Sequence, residues 1–143
     1  MQSIEYRNFQ FKGFNSVGAC YVRTRITDDG KIVCLISQLR GYNGTSVTNV
    51  IEDIIHGVVE RLFAEGVLPK ALSTMDKILK RSVWIEHYPP GVGMSPSGSW
   101  AVVTLDAEGK PDWEHVTLDD AIALSGVEAN FFSLSAQDVQ FKN

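Results

Sequence analysis

The segment from Gly41 to Gly66 limits the possible folds most strongly, because it joins a glycine-rich loop to one long amphipathic helix. The loop reads Gly41-Tyr42-Asn43-Gly44-Thr45-Ser46. After it, apolar residues recur with the i, i+3, i+4, i+7 spacing of a helix face. Those residues are Val47, Val50, Ile51, Ile54, Ile55, Val58, Val59, Leu62 and Phe63. At about 100° per residue they cover roughly 200° of the helix surface, so we expect a sheet on one side and a second element or another subunit on the other.

Both ends of the predicted helix carry typical boundary residues. Thr45 or Ser46 supplies a hydroxyl that can cap the N–H groups of the first turn. Gly66 can adopt the left-handed conformation that ends a helix, and Pro69 prevents its continuation. Gly57 lies in the middle, where glycine costs about 1 kcal/mol relative to alanine. We therefore expect a neighbouring backbone to approach closely at Gly57.

Length and composition indicate one ordinary globular domain. The chain has 143 residues, of which 44% are apolar and 21% charged, as in a typical soluble domain. Its net charge of −4 gives no basic stripe for nucleic acid. No apolar run approaches the roughly 18 residues of a membrane span, and the N-terminus does not resemble a signal peptide. We predict a single cytoplasmic domain over 1–143 that binds neither membrane nor nucleic acid.

Alternating apolar residues predict five to six strands around the helix. The predicted strands cover 4–14, 18–26, 31–39, 82–88, 100–106 and 113–116. The alternation of the first strand breaks between Asn8 and Phe9, which predicts a bulge. The third is apolar on both faces and is therefore expected at the centre of the sheet. The predicted fold is α+β, with an antiparallel or mixed sheet, the order βββα(α)βββα and the long helix packed on the sheet.

The two cysteines lie on strands that form a predicted hairpin around Asp28-Asp29-Gly30. Such a short turn places Cys20 opposite a residue near Gln38, and Cys34 opposite a residue near Thr24. The two thiols are then too far apart to form a disulfide. We expect two small, buried, reduced cysteines.

The first candidate site is the junction between the glycine-rich loop and the helix. A helix N-terminus offers free N–H groups and partial positive charge, which bind phosphate or carboxylate groups. The candidate ligand-binding residues there are Arg40, Tyr42, Asn43, Gly44, Thr45 and Ser46. The loop matches neither the Walker A nor the dinucleotide fingerprint. The alternative is a well-capped connection that binds no ligand.

The second candidate site is a sheet face carrying Trp84, Glu86 and Tyr88, beside the loop Pro89–Ser99. We expect three further residues to share this face: Tyr21, Arg23 and Arg25. Aromatic rings interleaved with arginine can stack on a flat ligand and pair with phosphate. Protein interfaces are enriched in the same residues, so the alternative is a face covered by a helix or by a second subunit.

No catalytic or metal-binding motif can be assembled from the sequence. His56 lies near acidic residues on the polar side of the helix, but the second half of a di-metal carboxylate site is missing. Adjacent strand residues point to opposite faces, so Glu86 and His87 do not form a dyad. There is no nucleophile elbow, and neither cysteine has an electropositive setting. We predict no catalytic residues, no metal and no cofactor, and a non-enzymatic protein in preference to an enzyme.

Two functions follow from these candidates. The first is a binding protein, expected to be a homo-oligomer, that holds an anionic, nucleotide-like small molecule at the glycine-rich junction. The charge of the ligand would contact the loop, and its flat part would stack on Trp84 and Tyr88. The second is a protein–protein interaction or inhibitor module that docks a larger partner through the aromatic sheet face and the Gly/Pro loop. Its small size is compatible with an accessory protein of the kind carried by phages or plasmids.

Overall fold

Six strands form one sheet in which spatial order follows chain order. The structure, a computed structural model, describes residues 2–13, 16–42, 44–68, 74–89 and 98–141. The strands are β1 (Gln2–Gly13), β2 (Ser16–Ile26), β3 (Ile32–Gln38), β4 (Ser82–Tyr88), β5 (Ser99–Leu105) and β6 (Pro111–Val116). The α-helices are α1 (Ile51–Ala64), α2 (Met75–Lys80) and α3 (Leu118–Ser125), and 3-10 turns cover Thr48–Val50 and Ala129–Phe132. The predicted α+β class and element order are confirmed.

A parallel strand pair lies at the middle of the sheet. Strands β1 to β3 and β4 to β6 each form an antiparallel meander. Between the meanders, β3 pairs with β4 in parallel, and the connection between them carries α1 and α2. Strand β3 is buried along almost its entire length, as its two apolar faces predicted. The sheet is therefore mixed.

The long helix packs on one face of the sheet. Its apolar residues from Val47 to Leu62 are buried in a cluster that also takes residues from β1 to β5 and from α2. Phe63, at the edge of the predicted apolar arc, remains 39% exposed. The wide arc is thus covered almost completely by elements of the same chain. None of the described helices has the length and apolar character needed to cross a membrane.

A second cluster lies on the opposite face of the sheet. It contains Val33, Leu35 and Ile85 from the two central strands, and residues from α3 and the chain that follows it. Phe131 and Phe132 are buried there, and Leu134 packs against the same cluster. The aromatic C-terminal region thus packs back on the body of the protein.

The start of the long helix differs from its prediction. The helix opens with the 3-10 turn Thr48–Val50, and no side chain caps this turn or α1. The amide of Val47 instead donates to Gln38 Oε1 at 2.8 Å. The predicted cap by Thr45 or Ser46 is therefore wrong, because a side chain at the end of β3 already accepts from the amide where the helix begins.

The end of α1 is confirmed as a glycine cap. Gly66 has a φ of 67°, and its N–H donates to the carbonyl of Phe63 at 3.0 Å. The amide of Val67 donates to the carbonyl of Leu62 at 3.3 Å. These two bonds form a Schellman motif, which satisfies carbonyls that the helix leaves unpaired.

The neighbour of Gly57 is a side chain. A Cβ atom built on Gly57 would lie 3.4 Å from the ring of Phe9, an ordinary van der Waals distance. The predicted close approach of a backbone is therefore wrong for the described part of the chain.

The register of β2 against β3 confirms the predicted separation of the two cysteines. Cys20 lies opposite Gln38, and Cys34 lies opposite Thr24. Both thiols are buried and neither forms a disulfide, and burial raises the pKa of Cys34 to about 12. The register of β1 against β2 shifts between Tyr6 and Phe9, which confirms the predicted bulge.

Candidate functional site

The local structure of the loop explains both of its glycines. Gly41 has a φ of 82°, which disfavours any residue with a side chain. A side chain at Gly44 would clash with the ring of Tyr42, and that ring packs against Phe141 with centroids 5.0 Å apart. Neither glycine therefore needs a ligand to explain it. Asn43, the remaining predicted contact at the centre of the loop, lies outside the described residues.

The first turn of the helix already contacts a carboxyl group of the same chain. Glu86 is 1% exposed, and its Oε2 accepts from the hydroxyl of Thr48 at 2.6 Å. Its Oε1 accepts from the indole N–H of Trp113 at 2.9 Å. The hydroxyls of Thr48 and Tyr88 lie 3.2 Å apart, and burial raises the pKa of Tyr88 to about 12. These groups bond to one another at the position expected for a ligand.

The two sets of residues predicted to share a sheet face lie on opposite faces. One set is Tyr21, Arg23 and Arg25, and the other is Trp84, Glu86 and Tyr88. Tyr21 in β2 lies opposite Ser37 in β3, and Ser37 lies opposite His87 in β4. His87 and Glu86 are neighbours in β4, so their side chains point to opposite faces. The predicted common face is wrong, because the parallel β3–β4 register aligns Tyr21 with His87.

The predicted stacking residues offer little accessible ring surface. Trp84 is 3% exposed within the core under α1, and its indole N–H donates to Ser82 Oγ at 2.9 Å. Tyr21 is fully buried, and Tyr88 is half-buried. Of the loop Pro89–Ser99, residues 90–97 lie outside the described part of the chain. The aromatic face proposed for docking a larger partner is therefore largely interior.

The two arginines of the Tyr21 set hold the C-terminal part of the chain. Arg23 Nη1 donates to the carbonyls of Phe131 at 2.9 Å and Ser133 at 3.0 Å. Arg25 Nη1 lies 2.6 Å from Glu128 Oε1, and Arg25 holds the pKa of Glu128 below its usual value. These guanidinium groups thus serve tertiary contacts where the sequence suggested phosphate recognition.

Arg40, the first residue of the predicted site, lines a pocket that the sequence did not indicate. This C-terminal pocket has a volume of about 260 Å³ and lies between the sheet and the segment 132–139. Its lining residues are Arg40, His87, Trp100, Phe132, Leu134, Ser135, Ala136 and Val139. The lining therefore combines one arginine, one histidine and one tryptophan with mainly apolar residues.

Trp100, which lines this pocket, carries an unsatisfied donor. Its Nε1 atom is buried and has no hydrogen-bond partner among the described residues. The ring of Trp100 lies 5.3 Å from that of His87. A buried donor without an acceptor is unfavourable by about 1–3 kcal/mol, so few are tolerated in folded proteins. An acceptor atom of a bound molecule would satisfy it if that atom reached Nε1 from the pocket.

His87 contributes an uncharged imidazole to the pocket. Its Nδ1 shares a hydrogen bond of 2.9 Å with the hydroxyl of Ser37. Burial lowers the pKa of His87 to about 4. The ring is therefore neutral near pH 7, and Arg40 supplies the positive charge of the lining.

The outer wall of the pocket is tied to the loop and to the sheet. The amide of Arg40 donates to the carbonyl of Val139, and the amide of Phe141 donates to the carbonyl of Arg40 at 3.2 Å. Asp138 accepts from Arg7, and its Oδ2 accepts from the amide of Ser135 at 2.9 Å. The sequence does contain a sign of this turn, because a serine followed three residues later by an aspartate, as in Ser135 and Asp138, is typical of a turn stabilised by side chains. Nothing in the sequence indicated that the turn lies beside Arg40.

Among the residues that the structure describes, no group of three or more His, Cys, Asp or Glu side chains could hold a metal ion. Comparison of the chain with protein-family models, with curated proteins and with solved structures found no match.

Proposed function

We propose that this protein is a non-enzymatic binding protein that holds a compact anionic small molecule in the C-terminal pocket. The observation that carries the proposal is the buried, unpartnered indole N–H of Trp100, a residue that lines the same pocket as Arg40. The sequence predicted the same class of protein, a small-molecule binding protein, and included Arg40 among its ligand-binding residues. The site itself moves from the first turn of the helix to the space between the sheet and the C-terminal segment.

The pocket favours a ligand smaller than a nucleotide. Its volume of about 260 Å³ is below the roughly 300–1,000 Å³ typical of sites for drug-sized ligands. Phe132, Leu134 and Val139 provide apolar contact for a ring or a branched chain. A carboxylate can accept hydrogen bonds from an indole N–H and a guanidinium group together. A small aromatic or branched carboxylate therefore satisfies both the shape and the polar groups of the pocket.

Isothermal titration calorimetry with 2-naphthoate as the probe tests this function. We expect 2-naphthoate to bind more tightly than 2-naphthalenemethanol, which has a similar ring but no charge. Trp100→Phe removes the N–H donor and keeps an aromatic ring, and Arg40→Gln removes the charge. Each substitution should weaken 2-naphthoate binding about tenfold or more, the value of one charge-assisted hydrogen bond.

Trp113→Phe is the matched control, because its indole N–H is bonded to Glu86 outside the pocket. It should leave probe affinity unchanged. Native mass spectrometry of the purified protein, repeated under denaturing conditions, gives an independent readout of any retained ligand. Equal weakening by the Trp113 and Trp100 substitutions, or no binding of 2-naphthoate, would refute the proposed site.

A further inference from the structure

A second concave surface lies at the edge of the sheet, away from the C-terminal pocket. This edge groove has a volume of about 590 Å³ and runs between β1 and α1. Its lining includes Lys12, Asp53, His56, Gly57, Glu60 and Arg61. The groove thus joins a strand edge to one side of the long helix.

The two edges of the sheet differ in how they are protected. Strand β6 has six residues, begins with Pro111 and carries Asp112 and Glu114. Proline and charged residues on a short edge strand prevent further pairing. Strand β1 has twelve residues and contains no proline. It carries charged residues and a bulge between Tyr6 and Phe9, and its register against β2 is regular from Phe9 to Gly13. Within the described chain, β1 is therefore the longer edge strand and the one without a proline.

Gly57 lies on the side of α1 that lines this groove. Glycine inside a helix costs about 1 kcal/mol relative to alanine. Packing within the described chain does not require it, because a Cβ atom would meet Phe9 only at an ordinary 3.4 Å. The absence of a side chain does allow another backbone to approach closely. Gly57 would therefore let a second helix cross α1 at short distance.

The charges of the groove are balanced and self-complementary. Lys12 and Arg61 are basic, whereas Asp53 and Glu60 are acidic. Among the described residues Lys12, Asp53 and Glu60 have no ion pair within the chain, whereas Arg61 Nε lies 3.5 Å from Glu65 Oε1 on the exposed surface at the end of α1. Asp53 lies four residues before Gly57, and Arg61 lies four residues after it. Two antiparallel copies of α1 centred on Gly57 would therefore place Asp53 of each opposite Arg61 of the other.

We propose that the edge groove is a homodimer interface, with a second copy of this chain as its occupant. The β1 strands pair antiparallel about a two-fold axis perpendicular to the sheet. Such an axis keeps both α1 helices on one face, antiparallel and adjacent, with Gly57 at the crossing. An isologous interface of this kind repeats each contact twice, so the Asp53–Arg61 pair occurs twice.

Sedimentation velocity over a concentration series tests the interface by charge reversal. We expect the wild-type protein to form dimers at tens of micromolar. Asp53→Arg and Arg61→Asp each place like charges together twice, and each should weaken dimerisation at least tenfold. The double variant reverses both charges and should recover most of the wild-type association. A purely monomeric wild type, or a double variant as weak as the single ones, would overturn the proposal.

Glu114→Arg on the opposite edge is the matched control and should leave dimerisation unchanged. Circular dichroism verifies that each variant is folded. Amide hydrogen exchange gives a second readout: protection of 2–13 should rise with protein concentration, while that of 111–116 should stay constant. Loss of dimers in the Glu114 variant, or concentration-dependent protection at 111–116 alone, would place the interface at β6 and overturn the proposal.

Discussion

Glu86 and His87 are adjacent in β4, and their side chains enter different environments on the two faces of the sheet. Glu86 accepts hydrogen bonds from Thr48 and Trp113 under the long helix. His87 shares one with Ser37 on the opposite face. The alternation of a strand predicts that the two side chains diverge, and the structure confirms this. It does not predict their partners, because these come from segments that the sheet register brings together.

The buried His87 gives the protein a defined acid sensitivity. Its pKa is about 4 in the folded state, against about 6.5 in an unfolded chain. Between these values the unfolded state binds more protons, so the stabilisation is complete above pH 6.5 and is lost as the pH falls to 4. The loss amounts to at most about 3 kcal/mol.

Urea unfolding of wild type and His87→Gln at pH 7 and pH 4.5 measures this contribution. The wild type should lose more unfolding free energy between the two pH values than the variant does. The difference isolates His87, because the carboxyl groups titrate in both proteins. Equal losses would show that His87 retains an ordinary pKa.

At the scale of elements, the long helix shows what local sequence determines. Its length, apolar face and glycine end followed from spacing and from Gly66, since all of these depend on residues within one or two turns. Its start did not, because the acceptor for Val47 is Gln38, a side chain across the loop. Capping by a residue from another element leaves no local pattern to detect.

The helix start therefore predicts an unequal effect of two substitutions. Gln38→Ala removes the acceptor for the Val47 amide and should lower the free energy of unfolding by about 1 kcal/mol. Ser46→Ala should change it by less than about 0.5 kcal/mol, since no side-chain cap is lost. Urea unfolding of both variants measures the difference. A larger effect of Ser46→Ala would show that the Ser46 hydroxyl does cap the helix.

The C-terminal segment is a second element, and Asp138 is one of the side chains that hold it in place. Burial tends to raise the pKa of Asp138, but hydrogen bonds from Ser135 and the charge of Arg7 together lower it. Asp138→Asn should lower the free energy of unfolding by about 2 kcal/mol. It should also weaken 2-naphthoate binding, because this segment forms a wall of the C-terminal pocket.

Amide hydrogen exchange of 133–141 checks this prediction directly. Exchange there should become faster in Asp138→Asn, while that of β3 stays as in the wild type. Ser3→Ala, which removes a hydrogen bond to Arg25 at another point of β1, serves as the control. Unchanged exchange in the Asp138 variant would show that the other contacts of the segment suffice to hold it.

At the scale of the whole molecule, class and element order could be predicted because strands, turns and helix ends have local signatures. The sequence left open whether the sheet is antiparallel or mixed, since the pairing of β3 with β4 joins distant segments. It did not indicate the C-terminal pocket for the same reason. Arg40 and Val139 are joined by a hydrogen bond between backbone atoms. Such a bond does not depend on the type of side chain, so the sequence does not indicate it.

The parallel β3–β4 pair also has a consequence for how the chain folds. Each meander consists of neighbouring strands that meet by closing short or moderate loops, whereas Ile32 and Ser82 meet only after a loop of about fifty residues closes. The meanders can therefore form early, and their joining carries the largest loss of chain entropy. The pairing of β3 with β4 is then expected to limit the folding rate. Until these two strands pair, the apolar faces of both meanders remain exposed to water.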